Sequence, residues 1–277
     1  MLPRAPIEVL SLLPEERGHL LDLLLSTPRN QHETPTSCPG WSVKDIAAHL
    51  LGDDLAILSS GRDGHTFGVY TGSSWEELVD FINHRNELWV EALRRLSLNA
   101  ICELLASTEE RIQEYFTSLD LLSLVPNVAW AGEGRMPMWL HVAREYTERW
   151  VHQMQIRDAL RAPGLYEPQL FHPVLEAFAY ALPVAYRDVE AGEGTRIEVE
   201  IIGSAGGNWS LVRGSDEWQL LDSVEGTPAA TIRMPQEEAW RVWTRGIEPA
   251  SARAKSTIEG DEELGRHAFD AVAMIVG

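Results

Sequence analysis

The chemistry in this chain is concentrated in the stretch "MWLHVAREYTERWVHQMQIRDAL". Glu148 and His152 stand four residues apart. On a helix that spacing puts two side chains on one face, with Cβ atoms about 5–6 Å apart. A carboxylate oxygen and an imidazole nitrogen so placed can reach one metal ion, and zinc accepts both ligand types at about 2 Å. His141 and Glu145 continue the stripe towards the N-terminus, while Trp139, Leu140, Ala143, Trp150, Val151 and Met154 form an apolar arc opposite and are the expected core. A solvated helix face has the same pattern, so the pair alone does not decide between a metal site and a surface.

A second candidate is His49, in "CPGWSVKDIAAHLLGDD". It flanks the apolar positions Val43, Ile46, Ala47, Leu50 and Leu51, and its own side carries the small residues Ala48, Gly52 and Ala56, which let another helix or a ligand approach closely. Asp53, one turn on, is either a further ligand or an ordinary helix charge. Cys38 lies in the loop before this helix and reads as a packing residue rather than a nucleophile.

Helices must position these groups. Pro14 can open a first helix through "PEERGHLLDLLLS". Ser42 with Asp45, and Ser74 with Glu77, are capping pairs that start the next two. A further helix covers roughly 98–118, then "VPNVAWAGEGR" reads as a loop, and Pro137 suits the first turn of a helix running to about Leu160. Four or five long helices with short connections make a bundle. After "RAPGLYEP" the pattern changes. "QLFHPVLEAFAYALPVAYRDV" reads as a helix broken or kinked at Pro183. "TRIEVEII" alternates, with Ile197, Val199 and Ile201 on one face, as a half-buried strand does. "GGNWSLVRGSDEWQLLD" reads as a hairpin turning at "RGSDE", and "AATIRM" as a further strand. "PQEEAWRVWTRG" is a helix ending at Gly246, "KSTIEGD" a short strand, and "DEELGRHAFDAVAMIV" a last helix. The expected fold is α+β: residues 1–165 a four-helix bundle, residues 166–277 a small α+β domain with a mostly antiparallel sheet. "GSAGGN" lies between strands and opens no helix, so it is a turn and not a phosphate loop.

Composition narrows the class. The 277 residues carry a formal net charge of −19, with 44% hydrophobic residues and ten tryptophans. The basic footprint of a nucleic-acid binder is missing, and an anionic membrane surface would repel the chain on average. No stretch approaches the roughly 18 apolar residues of a membrane span, and "MLPRAPIEVL" does not read as a signal peptide. The expectation is a cytoplasmic protein, monomer or homodimer, and a pocket for a small anionic substrate is still allowed, because net charge says little about one cleft. Its two cysteines, Cys38 and Cys102, are expected as reduced thiols.

"CPGWSVKDIAAHL" and "EYTERWVHQMQIRDAL", in this order, resemble the two helical signatures of the mycothiol-dependent maleylpyruvate isomerase family. The second half, with "GGNWSLVRG" and "EEAWRVWTRG", is similar to the small α+β domain of those proteins. The resemblance implies a DinB-like metal-binding bundle in which His49, Glu148 and His152 are the ligands, His141 and Glu145 being neighbours. Such a set suits zinc, with nickel, iron or manganese chemically allowed. Three protein ligands leave positions open, the pattern of a catalytic site. The resemblance further implies a low-molecular-weight thiol as cosubstrate: thiolate addition to a cis enone permits bond rotation, and elimination releases the trans isomer. Arginines would hold the substrate carboxylates. Arg85, Arg144 and Arg149 are the candidates in the bundle, Arg241, Arg245 and Arg253 those in the second domain, with Arg85 and Arg245 put forward. Two other functional classes stay open: a hydrolase using metal-activated water, and a non-catalytic binder of a small ligand.

Overall fold

The computed structural model describes residues 5–65, 68, 70–72, 74–126, 128–222, 224 and 226–274. They divide into two compact units. One contains Val9–Asp120 and Glu145–Leu165; the other contains residues 5–8, 121–144 and 166–274.

The first unit is helical. Helix α1 (Leu13–Ser26) has Pro14 in its first turn. Helix α2 (Val43–Ala56) opens on a full capping box in which Ser42 and Asp45 satisfy each other's backbone N–H groups, and it runs on into a π-helical turn, Ile57–Arg62. Helix α3 (Trp75–Leu93) opens on the matching Ser74–Glu77 box. Helix α4 (Leu98–Ser118) is capped by Ser97. Helix α5 (Met138–Leu160) supplies its Glu145–Leu160 segment to this unit. The core is built from Leu20 and Leu24 of α1, Ile46, Leu50 and Leu51 of α2, Ile101 and Leu105 of α4, and Ile156 of α5. Each such side chain, fully buried, contributes about 1.5–3 kcal/mol. The small residues beside His49 receive a neighbouring helix: Trp89 of α3 donates its indole N–H to the Ala48 carbonyl at 3.0 Å. A Cβ on Gly52 would stand 2.5 Å from the Trp89 ring, so glycine is required there.

In the second unit the stretch expected as a plain loop contains a short antiparallel hairpin, β1 (Leu124–Pro126) with β2 (Arg135–Pro137), in which Val125 faces Met136. Gly132 and Gly134 take positive φ in its connection, and Asn127 lies outside the described residues. Strands of three residues, each ending in proline, give no readable alternation. Helix α6 (Pro168–Ala179) stops short of α7 (Leu182–Ala185), whose first turn holds Pro183. The break falls ahead of the proline because its ring clashes with the carbonyl four residues back.

Strands β3 (Arg196–Ile202), β4 (Gly207–Arg213), β5 (Trp218–Leu221) and β6 (Ala230–Pro235) are followed by α8 (Gln236–Trp243), α9 (Pro249–Arg253), β7 (Thr257–Gly260) and α10 (Glu262–Arg266). The sheet order is β5-β4-β3-β6-β7; β3 and β6 pair parallel and every other pair is antiparallel. Ile197, Val199 and Ile201 are buried, as their alternation requires. Two helix ends differ from expectation. Helix α8 closes with Arg245, not Gly246, at positive φ (56°), while the Gly246 N–H reaches the Arg241 carbonyl at 2.7 Å. The last helix ends at Arg266; a 3₁₀ turn, His267–Phe269, follows, and Ala273 is tied through its N–H to the Trp243 carbonyl at 2.8 Å. A short apolar run such as "AVAM" cannot be told from helix by periodicity alone. Residues 275 and 276, the end of that expected helix, lie outside the described residues. Among the described residues, no helix is long and apolar enough to cross a membrane.

Candidate metal centre

In the first unit, His49 of α2 meets His152 of α5, and Glu148 lies one turn before His152 on α5. The rings of His49 and His152 meet edge to face with centroids 4.7 Å apart. His152 Nε2 lies 3.7 Å from the Glu148 carboxylate, one turn earlier on α5. His49 Nε2 contacts Asp53 at 3.2 Å, and the Trp41 ring lies 5.0 Å from the His49 ring. His49 and His152 are buried, at 6% and 7% exposure, whereas the Glu148 side chain keeps 17%. Among the described residues, no three His, Cys, Asp or Glu side chains are drawn together closely enough, as they stand, to hold a metal ion.

The chemistry of the donor set nonetheless fits one. Burial pushes His49 down to about 4, against the pull of Glu145. Burial first, and then the neighbouring His49, push His152 down to about 3, with a hydrogen bond to Gln155 opposing. Both rings are therefore neutral at pH 7, the form in which imidazole ligates, and Glu148 adds an anionic oxygen. His141 belongs to the other unit, where its Nε2 lies 2.5 Å from the Pro126 carbonyl.

Cys38 lies in the loop preceding α2, with its thiol donating to Gln155 Oε1 at 3.1 Å. Burial, reinforced by Glu148, raises the thiol to about 11 in spite of a hydrogen bond to Thr36. It is protonated at neutral pH and poorly suited to act as a nucleophile. Cys38 and Trp41 also line a cavity of about 460 Å³ with Glu33, Thr36, Asp45 and Arg94. Both cysteines are free.

Beside this centre lies a buried ionic cluster that sequence reasoning missed. Asp54 Oδ1 accepts from Arg17 of α1 at 3.0 Å and from Arg149 of α5 at 2.8 Å, while Oδ2 accepts from Thr108 of α4 at 2.5 Å. Asp54 and Glu16 are completely buried, and Arg17 and Arg149 nearly so. Burial alone would raise Asp54, yet the two guanidinium groups hold it below the usual carboxylate range. Glu16 is raised by burial and accepts from Gln153 at 2.6 Å. No local signal marks these residues, because helical charges one or two per turn are ordinary on a surface.

Arg149 is thereby committed to structure and cannot hold a substrate anion. Arg85 is exposed on α3, reaching the Gly68 carbonyl at 3.5 Å and lying over the Phe81 ring at 5.4 Å. Arg245, in the other unit, is exposed after α8 and reaches the Asp270 carbonyl at 3.4 Å. Arg241 lies over Trp240, and Arg253 pairs with Glu262.

The family model for the mycothiol maleylpyruvate isomerase N-terminal domain matches residues 13–157. Two solved structures share the fold. A mycothiol-dependent maleylpyruvate isomerase is 14% identical with a TM-score of 0.54, over 87% of this chain and 90% of that one. A histidine-to-alanine mutant of a mycothiol-dependent maleylpyruvate isomerase is also 14% identical, with a TM-score of 0.53 over the same shares. No curated protein matches the chain.

Proposed function

Since the chain belongs to the mycothiol maleylpyruvate isomerase N-terminal domain family, we propose that it is a metal-dependent enzyme that uses a low-molecular-weight thiol for isomerisation or S-transfer on a small anionic substrate. His49, Glu148 and His152 would hold a divalent ion, for which zinc is the best suited. The observation that carries this reading is the meeting of the His49 and His152 rings, 4.7 Å apart across two helices, beside Glu148. A buried pair of neutral imidazoles serves no evident packing purpose that two apolar side chains would not serve better.

Within the proposal, His49 and His152 offer lone pairs at neutral pH without first losing a proton, and Glu148 supplies the anionic donor. A divalent ion bound there would stabilise a thiolate. The Cys38 thiol, held protonated, leaves the reacting sulfur to come from the cosubstrate. Arg85 and Arg245 expose guanidinium groups that suit substrate carboxylates. The setting would be the cytoplasm.

Elemental analysis of purified protein tests the centre. Close to one divalent ion per chain is expected, falling sharply in His152→Ala and Glu148→Gln; equal and negligible metal in wild type and variants under replete conditions removes the reading. Cobalt in place of zinc then reports the thiol, because a new sulfur ligand adds a charge-transfer band in the near ultraviolet. The band should appear with mycothiol, bacillithiol or glutathione and persist in Cys38→Ser. A cobalt spectrum unchanged by all three thiols would point to hydrolysis instead.

A further inference from the structure

Three residues beyond His152, one side chain connects the candidate ligand to the loop that precedes α2. Oε1 of Gln155 lies 2.7 Å from His152 Nδ1 and 3.1 Å from Cys38 Sγ. An amide oxygen accepts hydrogen bonds and cannot donate. The His152 contact therefore requires the ring proton on Nδ1, and in a neutral imidazole that leaves Nε2 with a free lone pair. Nε2 is the nitrogen that faces Glu148, at 3.7 Å. The Gln155 amide is itself held: the Cys38 thiol donates to the same oxygen, and the Cys38 backbone N–H is anchored on Thr36 Oγ1 at 3.2 Å.

We propose that Gln155 is a positioning residue that sets the tautomer and ring orientation of His152, keeping Nε2 unprotonated and aimed at Glu148, with Cys38 steadying the glutamine. The inference rests on the reading of His152 as a ligand for its purpose, although the hydrogen-bond geometry is independent of that reading. Partners of this kind fix the rotamer of a ligating imidazole and raise its basicity, and their removal costs roughly 10–100-fold in metal affinity. It also gives Cys38 a role that needs no thiolate: its S–H is a donor, and the burial that keeps it protonated keeps it donating.

The test uses the full-length, metal-free protein and two variants. Long-range ¹H–¹⁵N spectra of the imidazole nitrogens, with His152→Ala to assign the signal, should show His152 of the wild type protonated on Nδ1. Gln155→Leu, which removes the acceptor, should move the proton wholly or partly to Nε2. Gln155→Glu, which keeps an acceptor oxygen, should restore the Nδ1 tautomer. Competition with a chromophoric chelator should show zinc affinity about 10–100-fold weaker in the Leu variant and recovered in the Glu variant. Should Gln155→Leu fail to fold, Gln155→Asn, which withdraws the carbonyl by one methylene, serves in its place. A wild-type ring protonated on Nε2, or a tautomer indifferent to loss of the acceptor, overturns the proposal. Failure of the wild type to take up zinc sinks the metal reading instead, and the tautomer measurement still judges Gln155.

Discussion

Two neutral histidines buried side by side make the stability of the metal-free protein depend on pH. Both have native values below the ordinary 6.5, about 4 for His49 and about 3 for His152, with burial the leading cause. The unfolded chain therefore binds more protons than the native one between about pH 6.5 and pH 3, and stability rises with pH across that window. The stabilisation is complete above pH 6.5 and is lost as pH falls towards 3. The expected observation is a Tm of the metal-free protein that drops steeply on acidification below 6.5, with a shallower drop in His49→Phe, where one ring no longer takes up a proton on unfolding. An equal slope in the two proteins would show that other groups set the acid limit.

Among the helices, the Asp54 carboxylate is where α1, α2, α4 and α5 meet. It pairs with both Arg17 and Arg149 and accepts from Thr108, while Glu109 at 3.3 Å from Arg17 and Glu145 at 3.7 Å from Arg149 supply further negative charge. A buried ion cluster adds little net stability compared with a well-packed apolar one, but removing Asp54 takes the nearest carboxylate from two buried guanidinium groups, which are left with the longer contacts to Glu109 and Glu145. Asp54→Ala is therefore expected to cost about 3–5 kcal/mol, read from the urea midpoint at unchanged m. Thr108→Val, which removes one hydrogen bond to that carboxylate, should cost about 1–3 kcal/mol. Asp54 follows His49 on α2 by five residues and Arg149 is next to Glu148 on α5. The cluster thus fixes the register of the two helices that carry the proposed ligands. Zinc affinity should fall in Asp54→Ala even under conditions where the variant remains folded.

At the scale of the whole molecule, the chain crosses between its units more than once. Residues 121–144, with the β1–β2 hairpin, belong to the unit completed by residues 166–274. The linker after α5 is itself anchored: Leu165 is buried, its carbonyl accepts from Trp150 at 3.1 Å, and its N–H contacts Met154 Sδ at 3.2 Å. Arg161, exposed and at positive φ, is the open point of that linker. A tryptic nick after Arg161 should therefore leave the two pieces associated in size-exclusion chromatography, separating only in denaturant, because each unit is completed from both sides of the cut. Elution of a free N-terminal fragment under native conditions would contradict the division.

What was legible in the sequence was whatever is encoded within a few residues. Ser42 with Asp45 and Ser74 with Glu77 announce helix starts because both halves of a capping box sit in one turn. The alternation of Ile197, Val199 and Ile201 marks a strand because side chains alternate faces at every residue. The Glu148–His152 spacing is readable for the same reason, and the two signatures that resemble a family lie in the helices that carry His49 and this pair. The tertiary structure alone decided the rest. Asp54 and Arg149 are 95 positions apart, and Cys38 and Gln155 are 117 apart. Nothing local distinguishes these side chains from surface residues of the same type. Arg245 takes the left-handed conformation that Gly246 advertises, because the Gly246 N–H instead closes the helix on the Arg241 carbonyl. The run "AVAM" leaves the helix because Ala273 binds the Trp243 carbonyl rather than a carbonyl one turn back. A local pattern states what a segment prefers, and which backbone or side-chain group arrives from elsewhere to satisfy it is settled only when the chain packs.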